Sequence, residues 1–161
     1  MDSIPSADDP ARRRRLTRAI RESLRDLRTQ LFLLNQEVGG HLDLKGADLE
    51  CLDLIARHGP LSPSALARRG RLHPATMTGV LDRLERGGWI ARERDPSDRR
   101  AVVVVLVRER MAEVLRLYAG MNASMGEIMR GYREDELEVI AGFLQRTAEA
   151  GRRATGELAG H

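Results

Sequence analysis

The chain has 161 residues, of which 42% are hydrophobic and only 3% aromatic, and its formal net charge is +3. This length and apolar content suit one globular domain with an aliphatic core, and they exclude a disordered chain. The sequence has no apolar run near twenty residues, which excludes a membrane span, and its single cysteine, Cys51, excludes an intrachain disulfide and a cysteine-based zinc cluster. The first residues lack the basic and apolar segments of a secretory signal, so we expect a cytoplasmic protein with no membrane partner.

Positive charge is concentrated in the middle of the chain. Between Arg57 and Arg110 there are twelve arginines and six acidic residues, a local charge of +6. A basic centre of this kind indicates a surface that binds a polyanion such as nucleic acid, with an ordinary charged surface as the alternative.

The N-terminal region predicts a tail over residues 1–10 and a long helix over residues 11–40 that ends at Gly39-Gly40. Its apolar residues recur at intervals of three and four, which approximates a heptad pattern. A helix of this length exceeds what a small core requires, so we expect it to pack on a partner chain, with packing along its own domain as the alternative. The residues predicted for this contact are Leu16, Ile20 and Leu24.

The C-terminal region, residues 108–150, predicts two further helices with apolar faces. The last one opens with acidic residues at its positive end and is expected to end near Gly151, before a flexible tail over residues 151–161. The residues predicted to join the dimer contact from this helix are Leu137, Ile140 and Leu144.

Residues 41–107 have the pattern of a DNA-binding lobe. A helix over about 46–58 is followed by a short helix that Ser62 caps and by another that Pro74 opens. Two short helices joined by a tight turn are typical of a helix-turn-helix. The predicted fold is therefore mainly α with a small β-hairpin wing: a winged helix-turn-helix with long N- and C-terminal dimerisation helices.

The helix from Pro74 has two different faces. Met77, Val80, Leu81 and Leu84 cluster on one side at helical spacing, and small or basic residues lie on the other. A glycine inside a helix costs about 1 kcal/mol relative to alanine, so Gly79 indicates either a close approach of DNA to the backbone or simple sequence drift. The residues predicted to face DNA are Ser62, Pro74, Ala75, Thr76, Thr78, Gly79 and Arg83.

A hairpin follows that helix. The turn chemistry of Asp95-Pro96-Ser97-Asp98 separates a short strand from a β-branched one, and arginines cluster at the tip. Such arginines can reach the minor groove. The tip residues predicted to contact DNA are Arg94, Arg99 and Arg100, with Asp98 either holding an arginine in position, forming the turn, or both.

The segment L-D-R-L-E-R-G-G-W-I-A-R-E-R-D-P-S-D-R-R-A-V-V-V-V-L, residues 81–106, resembles the MarR-type winged helix-turn-helix regulators. The resemblance extends over about residues 12–150 and implies a homodimer on a pseudo-palindromic operator, with Arg100 as the wing arginine and Asp98 as its orienting acid. It also implies a small aromatic or anionic effector, for which the candidate residues are His41, Arg57 and His58.

Other classes of protein are less well supported by the sequence. Phosphate loops, nucleophile elbows and metal-hydrolase motifs are missing, so we expect no enzyme and no cofactor. Cys51 is expected to be a buried apolar residue rather than a redox sensor, and the histidines do not form a close-spaced metal set. A helical adaptor for other proteins and a DNA binder without an effector remain as alternatives.

Overall fold

A computed structural model describes residues 9–98 and 100–159. Its elements are α1 (Pro10–Leu42), α2 (Gly46–His58), α3 (Pro63–Gly70), α4 (Pro74–Arg86), β1 (Ile90–Arg94), β2 (Val102–Leu106), α5 (Arg108–Arg130) and α6 (Glu134–Ala159). This order confirms the predicted fold class. The chain divides into two units between residues 116 and 117, inside α5.

The core of the first unit lies between α2, α3, α4 and the hairpin. The residues predicted to form the inner face of α4, Met77, Val80, Leu81 and Leu84, are at most 1% exposed. Burying an aliphatic side chain of this size contributes roughly 1.5–3 kcal/mol, so the inner face holds α4 firmly. Its outer face is therefore presented to solvent in a defined orientation.

The two strands form an antiparallel hairpin with Ile90 opposite Leu106 and Arg94 opposite Val102. An isolated bridge joins β2 to the segment before α3, where Val104 donates its backbone N–H to the carbonyl of Leu61 at 2.8 Å. Because Val104 is fully buried, this bridge attaches the base of the hairpin to the core. Trp89 directly precedes β1 and is 2% exposed.

The first helix does not end at Gly39-Gly40, and the predicted boundary at residue 40 is wrong. Helix α1 continues to Leu42, where Asp43 takes a left-handed conformation and donates its N–H to the carbonyl of Gly39. A Cβ on Gly39 would lie only 2.5 Å from the carbonyl oxygen of Leu44. The glycine therefore permits a close approach of the chain instead of ending the helix.

The last helix also extends beyond its predicted end. Helix α6 runs through Gly151 to Ala159, so residues 151–159 are not a tail. One glycine costs only about 1 kcal/mol in a helix, and its alanine, arginine and glutamate neighbours favour helix. At the N-terminal end of the described chain, the side chain of Asp9 accepts a hydrogen bond from the backbone N–H of Ala11 and caps α1. Tails were predicted for residues 1–10 and 151–161; residues 1–8 and 160–161 lie outside the described residues, and Pro10 already begins α1.

Both units carry exposed apolar side chains. In the first unit, Leu16 is 54% and Ile20 45% exposed, and Leu24 is half-buried. In the second unit, Ile140 is 37% and Leu144 47% exposed, and Leu137 is half-buried. The apolar stripes predicted from the sequence thus present uncovered surface on α1 and α6.

Candidate nucleic-acid interface

The outer face of α4 is exposed and made of small residues. Pro74, Ala75, Thr76 and Thr78 are exposed, and Gly79 is half-buried. His73 caps the helix, because its Nδ1 accepts a hydrogen bond from the Ala75 N–H at 3.3 Å. This cap was not predicted from the sequence, although His73 directly before Pro74 at a helix start was a visible signal.

The space beside Gly79 is open. A Cβ at this position would meet only Nη1 of Arg83, at 3.8 Å, within the described residues. The fold itself therefore does not require glycine here, and a molecule approaching from outside can come close to the helix backbone.

The N-terminus of α3 lies in the same helix-turn-helix. Ser62 caps α3 as predicted, accepting a hydrogen bond from Ala65 at 3.2 Å, and its hydroxyl lies 3.1 Å from that of Ser64. Since the first N–H groups of a helix are unpaired and carry a partial positive charge, two hydroxyls at this end suit a phosphate.

Arg83 is placed differently from its predicted position on the outer face. Its Nη2 donates to Oδ1 of Asp48 at 2.7 Å, and the side chain is 37% exposed while that of Asp48 is 3% exposed. Asp48 also accepts the N–H of Lys45 at 3.0 Å, closing the start of α2. The guanidinium is therefore tied to α2, and only part of it remains available on the surface.

The wing turn is closed by its own aspartates. Asp95 accepts hydrogen bonds from the hydroxyl and N–H of Ser97, which hold the pKa of its carboxyl below its usual range. Asp98 accepts the backbone N–H of Arg100 at 3.0 Å, so the turn-forming role is the one that the described contacts display. Arg94 and Arg100 are exposed, and the prediction for Arg99 lies outside the described residues.

Arg92 joins the hairpin to α4. From β1 it donates to Asp82 at 2.7 Å and to Glu85 at 2.5 Å, both on α4. The hydrogen bond to Asp82 is the main cause that raises the pKa of the guanidinium above its usual range. These ion pairs, which the sequence did not predict, neutralise two acids beside the side of α4 that is predicted to face DNA.

A cleft of about 640 Å³ lies behind α4. It is lined by the end of α1, the start of α2, the end of α4, Trp89 and Arg110. The guanidinium of Arg110 stacks over the Trp89 ring at 3.9 Å from its centroid. The Nε atoms of Arg83 and Arg110 are buried and have no hydrogen-bond partner among the described residues.

The predicted ligand residues do not line this cleft. His41, Arg57 and His58 are all exposed, and Arg57 is paired with Asp53 one turn earlier in α2. Spacing along the sequence suggested a group around α2, whereas the cleft is formed by residues far apart in the chain.

Cys51 is 1% exposed, and burial, with the nearby Asp48 charge, raises the pKa of its thiol to about 11. It packs against Met77, with the two sulfur atoms 3.9 Å apart. The thiol is therefore held protonated, as expected of an apolar core residue.

Along residues 9–98 and 100–159, no group of three histidine, cysteine or acidic side chains is placed to hold a metal. In the same part of the chain, no helix has both the length and the apolarity to cross a bilayer.

Comparisons with known proteins agree with this geometry. Residues 45–102 match the MarR family model. The chain is 34% identical over 125 residues to the HTH-type transcriptional regulator YcgE of Bacillus subtilis, covering 78% of this chain and 81% of that protein. It is 31% identical over 104 residues to the HTH-type transcriptional repressor MdtR of the same organism, covering 65% and 67%.

Solved structures share the architecture. The YusO protein of Bacillus subtilis superposes with a TM-score of 0.57 at 28% identity, covering 84% of this chain and 96% of that one. A MarR family protein from Bacillus stearothermophilus superposes with a TM-score of 0.65 over 86% and 97%, and at 19% identity it supports the fold alone. The matched family and relatives are transcriptional regulators rather than enzymes. The chain, with its helix-turn-helix and arginine-bearing hairpin, therefore belongs to the MarR family of DNA-binding transcriptional regulators.

Proposed function

We propose that this regulator is a cytoplasmic homodimeric repressor that reads a pseudo-palindromic operator and leaves it when a small anion binds. The observation that carries the proposal is the small-residue outer face of α4, with open space at Gly79, in one unit with the exposed arginines of the hairpin. The repressor role is extended from MdtR, whose name carries it.

Helix α4 enters the major groove. Ala75 and the methyl groups of Thr76 and Thr78 suit contacts with thymine methyls, and Gly79 allows the backbone to approach. Pro74 lies at the first turn, and Ser62 begins the neighbouring α3 helix, where free N–H groups favour a phosphate. Arg83 contributes mainly by holding α4 to Asp48.

The wing contacts the neighbouring minor groove. Arg94 and Arg100 are exposed on the hairpin, and a narrow minor groove attracts arginine through its negative potential. Asp98 acts through the Arg100 backbone, whose N–H it holds. Arg99 is assigned to the same tip from the sequence.

The test begins with selection of bound duplexes from a random pool with purified protein. The selected duplex is then titrated at fixed salt with the wild type, Arg100→Ala and Arg116→Ala, the last removing an exposed arginine of α5. We expect Arg100→Ala to weaken binding at least tenfold and Arg116→Ala to leave it within twofold. Equal affinity of all three would refute the wing assignment, and failure to select any duplex would refute the operator.

Dimerisation is supported by the uncovered apolar side chains of α1 and α6. Leu16, Ile20 and Leu24 from α1 join Leu137, Ile140 and Leu144 from α6 in the proposed contact. A dimer presents two recognition helices, and its half-sites lie about 34 Å apart, one DNA turn. Light scattering of Leu16→Gln/Ile20→Gln is expected to give the monomer mass, and an unchanged dimer would contradict the assignment.

The effector site is proposed for the cleft behind α4. The residues that line the cleft carry more positive than negative charge: Lys45, Arg83, Arg86 and Arg110 against Asp43 and Asp48. The two Nε–H groups without a partner are donors that an anion can satisfy. Because Arg83 and Arg86 belong to α4, an anion that engages them acts directly on the recognition helix. The earlier candidates His41, Arg57 and His58 are not retained for this role.

The single tryptophan offers a direct readout, since Trp89 lines the cleft. Titration with benzoate, a small aromatic anion, is expected to change Trp89 fluorescence saturably and to lower DNA affinity at the same concentrations. Arg110→Gln should remove both effects, and Arg116→Gln neither. A DNA affinity insensitive to benzoate and to a panel of other small anions would make this a DNA binder without an anionic effector.

A further inference from the structure

The N-terminal half of α1 carries a second concentration of positive charge, outside the basic centre of the sequence. Residues 10–28 hold eight arginines against two acids, Glu22 and Asp26. The net charge of all residues outside the range from Arg57 to Arg110 does not reveal this basic segment, because the rest of those residues are strongly acidic. Its charge is comparable to that of the winged lobe but belongs to one helix.

Five of these arginines share one face of α1. They follow one another at intervals of four, three, four and three residues, and all are exposed. This arginine stripe consists of Arg14, Arg18, Arg21, Arg25 and Arg28. At a rise of about 1.5 Å per residue it is about 21 Å long, and on the helical wheel it lies about 140° from the apolar stripe of Leu16 and Ile20.

Few contacts among the described residues neutralise the arginine stripe. Arg18 donates to Glu22 at 2.8 Å, but the side chains are 82% and 52% exposed, and such surface pairs contribute little. Arg25 donates through Nε to the carbonyl of Arg21 at 3.4 Å, a contact that leaves its charge uncompensated. Only Val38 and Gly39 of α1 are buried, so the stripe lies well away from the lobe that carries α4.

We propose that the arginine stripe is a second, sequence-independent surface for duplex DNA, beyond the operator contact of α4 and the wing. A duplex carries one phosphate per about 3.4 Å on each strand, so a straight stripe with an arginine every 5 Å or so meets several phosphates. The planar guanidinium binds phosphate oxygens through paired hydrogen bonds.

An acidic surface of a second copy is the competing occupant. The richest acidic segment, at the start of α6, is already partly paired, because Arg133 contacts both Asp135 and Glu136. The hydrogen bond from Arg133 also holds the pKa of Asp135 below its usual range. Since DNA is the partner of the family and carries more charge per length, duplex DNA is the better match.

The experiment uses the full chain and a random-sequence duplex of about 24 base pairs, with affinity measured by fluorescence anisotropy across a salt series. The stripe variant is Arg14→Gln/Arg18→Gln/Arg21→Gln/Arg25→Gln, in which glutamine preserves helix propensity. The control variant removes four exposed arginines elsewhere: Arg116→Gln/Arg130→Gln/Arg146→Gln/Arg153→Gln. Both variants are checked for helix content by circular dichroism.

In the stripe variant we expect the slope of log K against log salt to fall by roughly three, and affinity near 0.1 M salt to fall on the order of 100-fold, as counterion release predicts. The control variant should retain at least two thirds of the wild-type slope. Equal effects of the two variants would overturn the proposal in favour of net charge. An unchanged slope of log K against log salt in the stripe variant would also overturn the proposal. If light scattering then shows that this variant has lost self-association, a second copy of the chain is the occupant of the stripe. Arg100→Ala is tested alongside. It should retain the part of the salt dependence that the arginine stripe contributes, so a failure of the wing assignment can be distinguished from a failure of this proposal.

Discussion

The ion pair of Asp48 and Arg83 should hold the recognition helix on its lobe. Asp48 is 2% exposed and accepts both the Arg83 guanidinium at 2.7 Å and the Lys45 N–H at 3.0 Å. Loss of a helix-start acceptor costs about 0.5–2 kcal/mol. Loss of a hydrogen bond to a charged group costs about 1.5–3 kcal/mol, of which we take the lower end because Arg83 is 37% exposed and screened by solvent.

Asp48→Ala is therefore expected to lower the free energy of unfolding by about 2–3.5 kcal/mol. That is a large share of the roughly 5–15 kcal/mol typical of a folded protein. The measurement is urea denaturation at 25 °C and a fixed protein concentration, because a dimer's stability depends on concentration. DNA affinity should fall as well, since α4 loses its anchor to α2.

A double-mutant cycle with Asp48→Asn and Arg83→Gln isolates the pair. We expect a coupling energy of about 1–2 kcal/mol, within the range of contacting residues. The matched control is Asp53→Asn with Arg57→Gln, an exposed pair on the same α2 helix, where coupling should be at most about 0.5 kcal/mol. A coupling for Asp48 and Arg83 no larger than in the control would refute the anchoring role.

Three further outcomes are expected. Gly79→Ala should stabilise the protein by up to about 1 kcal/mol, because the added Cβ has space. It should also weaken operator binding several-fold, and unchanged binding would refute the close approach of DNA to the helix backbone. Arg92→Gln should weaken operator binding by exposing the charges of Asp82 and Glu85, and adding Asp82→Asn and Glu85→Gln should restore most of it; failure of that rescue would leave only a positioning role for Arg92. Burial raises the pKa of Cys51 to about 11 from 9.0, so the folded state keeps a proton that the unfolded chain releases. The resulting stability, about 2–3 kcal/mol, is present below pH 9 and lost as pH rises towards 11; alkaline unfolding curves that coincide for the wild type and Cys51→Ala would contradict this.

Local patterns were enough to predict the helices and the hairpin of the winged lobe. The helical spacing of Met77, Val80, Leu81 and Leu84 determined which side of α4 is buried, because a helix at a core surface can hide only one face. The Asp95-Pro96-Ser97-Asp98 turn and the β-branched run after it determined the hairpin, and Ser62 before Pro63 determined where α3 begins. These features depend on neighbours within a few residues, so the sequence by itself was sufficient for them.

Tertiary structure decided what pairs with what. Arg83 meets Asp48 across 35 positions in the chain, and helical periodicity alone placed it on the outer face. The end of α1 was missed because Gly39 serves a contact with Leu44 rather than a helix end. No sequence pattern distinguished Arg92, Trp89 or Arg110. Folding brings Arg92 against α4, and it brings Trp89 and Arg110 into the cleft. Long charged side chains reach several ångströms, so their partners depend on how the helices pack, whereas the pattern of apolar residues along each helix already determines which face is buried.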